Sequence, residues 1–139
     1  MKKLKNNLIL STIAITFFFG LGSKLNLFEK LIWYDEFLHF LGGVWVGLTF
    51  IWIINQSYTP KKIISGFEKK PIRSILIFVL IISIIWESFE FGLTQYILKT
   101  FQYKSGLQPS LLDTFSDLLM NFLGSITAFT LFKKTNTKN

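Results

Sequence analysis

The chain has 139 residues, half of them apolar and sixteen of them Phe, with fifteen Lys and Arg against eight Asp and Glu, a formal charge of +7. A basic excess suits nucleic acid only when the cations cluster on one polar face. Here they punctuate long apolar runs, which excludes nucleic acid as a partner, and a soluble globule of this size has no interior able to hide such runs. The absence of cysteine removes any disulfide framework and any thiolate metal site. The length bounds the chain to a single membrane domain, 1–139.

The first uncharged run, 6–23, lies between Lys5 and Lys24. Eighteen residues reach about 27 Å at ~1.5 Å per residue, enough to cross a membrane with some thinning or Lys snorkelling. A cleaved signal peptide is the rival reading. Lys2, Lys3 and Lys5 give it a basic start and Gly20, Gly22 and Ser23 a small-residue end, but an A-x-A-like site is missing, so a retained helix is expected. Segment 24–34 mixes Leu25, Leu27, Phe28, Leu31, Ile32 and Trp33 with charges and predicts a short interfacial helix. The second span is placed at about 36–58, the third at 73–98 and the fourth at 110–132, breaking at Ser105, Gly106 and Pro109 in the loop before it. Trp33, Tyr34, Tyr96 and Tyr103 are read as an aromatic belt at one boundary.

The expected fold is thus an all-α integral membrane bundle of four transmembrane helices with a short interfacial helix after the first. The loop between spans two and three carries Lys61, Lys62, Lys69, Lys70 and Arg73 against Glu68, and the C-terminus carries Lys133, Lys134 and Lys138. Retention of positive charge on the cytoplasmic side places both termini and this loop inside, in the cell (inner) membrane. Membrane lipids are expected partners, and an oligomer stays open.

Six of the eight acidic residues and the single His lie within or at the ends of the spans. On helical wheels they are not scattered. Asp35 and His39 are about 40° apart on the second span, with Gly42 continuing that face and Gly43 and Gly47 forming a small-residue seam beside it. Ser83, Glu87, Glu90 and Thr94 fall within about 60° on the third; Asp113, Asp117, Asn121 and Gly124 fall within about 80° on the fourth. The first span offers only Thr12, Thr16, Gly20 and Ser23. Helical rise puts the three charged stripes at overlapping depths in the outer half of the membrane.

No Lys or Arg occurs within those stripes. Ionised carboxylates in hydrocarbon cost several kcal/mol and repel one another, so they require protons, a bound cation, a cationic substrate or a water-filled cleft. A divalent metal cation held by carboxylate oxygens and the His39 imidazole suits the donor set. Other roles remain open for some residues. His39 could be a hydrogen-bonding residue, Asp113 a helix cap, Asn121 an interhelical hydrogen bond, and Glu36 a solvated boundary residue. Known nucleophile, phosphate-loop and zinc signatures are absent.

Three blocks, Tyr34-Asp35-Glu36-Phe37-Leu38-His39-Phe40 with Gly43, Trp86-Glu87-Ser88-Phe89-Glu90-Phe91, and Asp113-Thr114-Phe115-Ser116-Asp117 with Gly124, resemble the YjdF-like bacterial inner-membrane family over 34–124. Asp117, Asn121 and Gly124 also look like the D-x-x-x-N-x-x-G end of the VanZ-like family, associated with glycopeptide-antibiotic resistance. The Arg of that family's preceding loop is replaced here by Lys104 or Gln108. The resemblance implies an integral membrane protein with an intramembrane site and no assigned reaction. The first functional reading is a metal-dependent membrane enzyme or binding protein acting on a lipid-linked or envelope component. In it, Asp35, His39, Glu87, Glu90, Asp113 and Asp117 hold the cation, and Glu87, Glu90 and His39 carry the chemistry, one carboxylate serving as general base to water. Ser83, Thr94 and Asn121 support them. The alternatives are a proton- or cation-coupled transporter and a structural or interaction protein.

Overall fold

The computed structural model describes residues 2–101 and 111–136, all in helices and short connections. They form α1 (Lys2–Leu25), α2 (Leu27–Lys30), α3 (Tyr34–Ile54), α4 (Lys61–Lys69), α5 (Pro71–Phe101) and α6 (Leu111–Asn136). By length and composition α1, α3, α5 and α6 are each able to cross a membrane. The chain is therefore an all-α bundle of four membrane-spanning helices. At ~1.5 Å per residue the 21 residues of α3 span about 32 Å, one hydrocarbon thickness. The 31 residues of α5 reach about 46 Å and must tilt or project beyond it.

The helix starts are written locally. Pro71 opens α5 at the position where a missing N–H costs nothing. Asn26 adopts a left-handed conformation, φ 54°, which its short polar side chain tolerates and which ends α1. The expected short helix does follow the first span, but that kink narrows it from 24–34. Only the single turn of α2 forms, because Lys24 and Leu25 continue α1 and Tyr34 already belongs to α3. A second correction concerns 61–69, expected as loop, which is the helix α4.

Tyr34 also departs from the aromatic-belt expectation. It is buried, packs edge-on against Phe28 over Gly22, and donates its hydroxyl to the Phe18 carbonyl at 2.6 Å, tying α1 to α3. A Cβ on Gly22 would strike that ring. Trp33 and Tyr96 are exposed as a belt requires, and Tyr103 lies outside the described residues. A second tie joins the Trp45 indole N–H to the Thr12 hydroxyl at 2.9 Å. Otherwise α1 turns Ile9, Leu10, Ile13, Phe17 and Phe19 outwards.

The tightest packing joins α3 to α6. A Cβ on Gly43 would collide with the Asn121 backbone, one on Gly124 with the Phe40 carbonyl, and one on Gly47 with Ser125. Small residues permit this backbone approach where lipid supplies no hydrophobic drive between helices. Gly20, by contrast, has open space beside it. The apolar core gathers at the opposite end from Asp35: Leu4, Leu48, Ile51, Ile54, Ile75, Val79 and Ala128, with Phe67 of α4 laid between Phe50 and Phe129.

Candidate functional site

Asp35 and His39 stand one turn apart at the start of α3, and the glycine seam presses that turn against the start of α6. Backbone contact at Gly43 and Gly124 leaves no room for lipid between the helices, so the polar side chains just beyond the seam must face each other. The result is a cluster around the His39 imidazole, which is 7% exposed.

The ring is addressed from three helices. Its Nε2 lies 3.7 Å from Asp117 Oδ1 and 4.0 Å from Asp35 Oδ1. Its Nδ1 lies 4.0 Å from Glu87 Oε1 and shares a hydrogen bond with the Asn121 amide at 3.2 Å. Two donor sets share the imidazole: Asp35, His39 and Asp117, and His39, Glu87 and Glu90. Within each, one ligand atom per residue falls inside 4.8 Å of the others. Asp113, one turn before Asp117, is close enough to act electrostatically on Asp35, His39, Glu87, Glu90 and Asp117.

Five of the six acidic and imidazole groups singled out in the sequence, Asp35, His39, Glu87, Glu90 and Asp117, therefore come together, and Asn121 joins them through the ring, whereas Asp113 is exposed and acts on them electrostatically. Ser83 is buried one turn along α5 from Glu87, and Thr94 is half-buried one turn beyond Glu90. Among the described residues neither hydrogen-bonds the cluster. Two participants went unread in the sequence. Thr114 lies beside Glu87, and Trp86 beside Glu90 one turn along α5. Glu36, read as solvated, is half-buried with Oε2 lacking a hydrogen-bond partner and acts on both Asp35 and His39. Helical spacing from His39 and Asp117 carried the signal for Glu36 and Thr114, each three residues away.

The electrostatics of the cluster are unbalanced. Asp35 and Glu36 sit in the first turn of α3 and Asp113 in that of α6, where the positive ends of the helix dipoles favour negative charge. That help ends within a turn, so it does not extend to Glu87 and Glu90 on α5 and fades at Asp117. Asp117 is 4% exposed, and its Oδ1, like Glu87 Oε1, has no hydrogen-bond donor. Among the described residues no Lys or Arg pairs with Asp35, Glu87, Glu90 or Asp117. Buried acceptors without donors are costly, and these two converge on one imidazole.

The family model for "Predicted membrane protein (DUF2238)" matches residues 2–138. The chain belongs to this family. It is also similar to an uncharacterized protein of Thermotoga maritima, 30% identical over 102 residues, an alignment that covers 71% of this chain and 49% of that protein. The chain thus spans about half the length of that relative. No solved structure matches it.

Proposed function

We propose that the cluster at the start of α3 and α6 is a divalent-cation site of a membrane enzyme or binding protein that handles a lipid-linked or cell-envelope component. The observation that carries this reading is the pair of buried, donorless oxygens, Asp117 Oδ1 and Glu87 Oε1, facing opposite nitrogens of His39. A cation would supply the missing positive charge to carboxylates from three helices at once. Oxygen donors with one imidazole suit Mg²⁺, Mn²⁺ or Zn²⁺ better than a thiophilic metal.

Asn121 at Nδ1 orients the ring with Nε2 towards Asp35 and Asp117. With the Asn121 amide turned so that its oxygen accepts from Nδ1–H, Nε2 keeps its lone pair for a cation, and Asp35, His39 and Asp117 are its closest ligands. Glu87 and Glu90 then remain on the other side of the ring, where either can take a proton from substrate or water. The distribution of Lys and Arg supports the inner membrane, with both termini cytoplasmic and the acidic end outward. The YjdF-like resemblance is in keeping with the family found for the chain. The VanZ-like motif at Asp117, Asn121 and Gly124 supports an envelope substrate.

The test is calorimetric titration of metal-free purified protein with Mn²⁺ and Zn²⁺. One ion should bind per chain, and His39→Gln and Asp117→Asn should each weaken it tenfold or more. Equal affinity in wild type and both variants would refute the site.

A further inference from the structure

At the opposite end of the bundle from the acidic cluster, α4 has two unlike faces. At 100° per residue Ile63, Phe67 and Ile64 share an arc of about 100°, while Lys61, Lys69 and Lys62 occupy another of about 100° on the far side. Phe67 fixes the helix by its apolar face. Its ring lies 5.8 Å from Phe50 and 6.3 Å from Phe129, so α4 is folded back on the rim of the core instead of standing away from it. Ile63 is exposed beside it, as are Tyr58 before the helix and Ile72 after it.

Lys61, Lys62, Lys69, Lys70 and Arg73 are all exposed, and among the described residues none of them is ion-paired. Glu68 is the one acidic residue in 61–73. Lys2, Lys3 and Lys5, exposed at the start of α1, lie at the same end, because Leu4 packs into the core formed by Ile51, Ile54 and Ile75. Five unpaired cations thus border an exposed apolar edge at the level where the spans begin.

We infer that α4 and its flanks form a headgroup-binding collar for anionic phospholipid, with Ile63, Tyr58 and Ile72 against the acyl chains and Lys61, Lys62, Lys69, Lys70 and Arg73 on the phosphates. An amphipathic helix held at the end of the bundle by its apolar face suits the interface plane, and its charge favours anionic over zwitterionic headgroups. Arg73, at the third residue of α5, offers a bidentate fork to a phosphate, whereas the lysines act as point charges. The collar is independent of the cation site and does not rest on it.

The experiment uses the full chain reconstituted in bilayers of phosphatidylcholine and phosphatidylglycerol, with spin-labelled lipid of either kind read by electron paramagnetic resonance. Wild type should hold phosphatidylglycerol about fivefold over phosphatidylcholine, falling towards parity at about 1 M salt as screening shortens to ~3 Å. A variant with Lys61, Lys62, Lys69, Lys70 and Arg73 all changed to Gln should show no preference. Lys24→Gln with Lys30→Gln, at the other end, should retain it. Arg replacements at the four lysines should also retain it, which separates charge from loss of fold. Failure of inorganic phosphate to displace the lipid marks the bilayer headgroup as the ligand. Parity in wild type, a preference surviving in the five-site Gln variant, or displacement by millimolar phosphate would overturn the collar.

Discussion

The two ends of the bundle are held by different physics. At the basic end, Leu48, Ile51, Ile54, Ile75, Val79 and Ala128 fill an apolar core. At the acidic end there is little apolar interior, and the helices meet through glycine-mediated backbone contact and a shared imidazole. The first end is expected to tolerate apolar side chains of the right volume. The second tolerates almost no change in backbone separation, because His39 reaches Asp117 and Asn121 only while α3 and α6 touch.

Four substitutions sharpen this contrast. Gly124→Ala should have the largest effect, since its Cβ meets the Phe40 carbonyl and the Val44 amide nitrogen, both backbone. A loss of about 3 kcal/mol in unfolding free energy in detergent is expected, with Gly20→Ala, which faces open space, as the neutral control. Ile51→Ala empties a site that is 0% exposed and should cost about 2 kcal/mol. It should leave cation binding unchanged, and a fall in that binding would show that the two ends are coupled. Asp117→Asn keeps the shape and removes the charge. Cation affinity should drop tenfold or more, about 1.4 kcal/mol, while thermal stability holds or rises as a buried carboxyl oxygen without a donor is replaced. Tyr34→Phe removes the hydroxyl bond to Phe18 and should lower stability by about 1 kcal/mol, measured by thermal unfolding.

Much of this arrangement was legible in the chain itself, for identifiable reasons. The spans are visible because a membrane permits only long apolar helices, and the clustering of Asp35, His39, Glu87, Glu90 and Asp117 follows from helical periodicity once three helices must share a bundle. The α4 helix was hidden because Ile63, Ile64 and Phe67 are so widely interrupted by lysine that the segment reads as a charged loop. Tyr34 was misplaced for a different reason. Interfacial aromatic rules describe a residue's depth, whereas its burial depends on Gly22 leaving space for the ring from another helix. Glu36 escaped because a boundary residue looks solvated until its neighbours on other helices are known.

Nitrogens on both sides of one imidazole, at 3.7 to 4.0 Å from carboxylates on three spans, also make that ring a ruler. Sliding α5 by a single residue would carry Glu87 about 1.5 Å along its axis and alter the field at Nδ1 while sparing Nε2. In an isotopically labelled His39, a shift of α5 would consequently act on the Nδ1 resonance through Glu87, whereas a shift of α6 would move both, Nδ1 through Asn121 and Nε2 through Asp117.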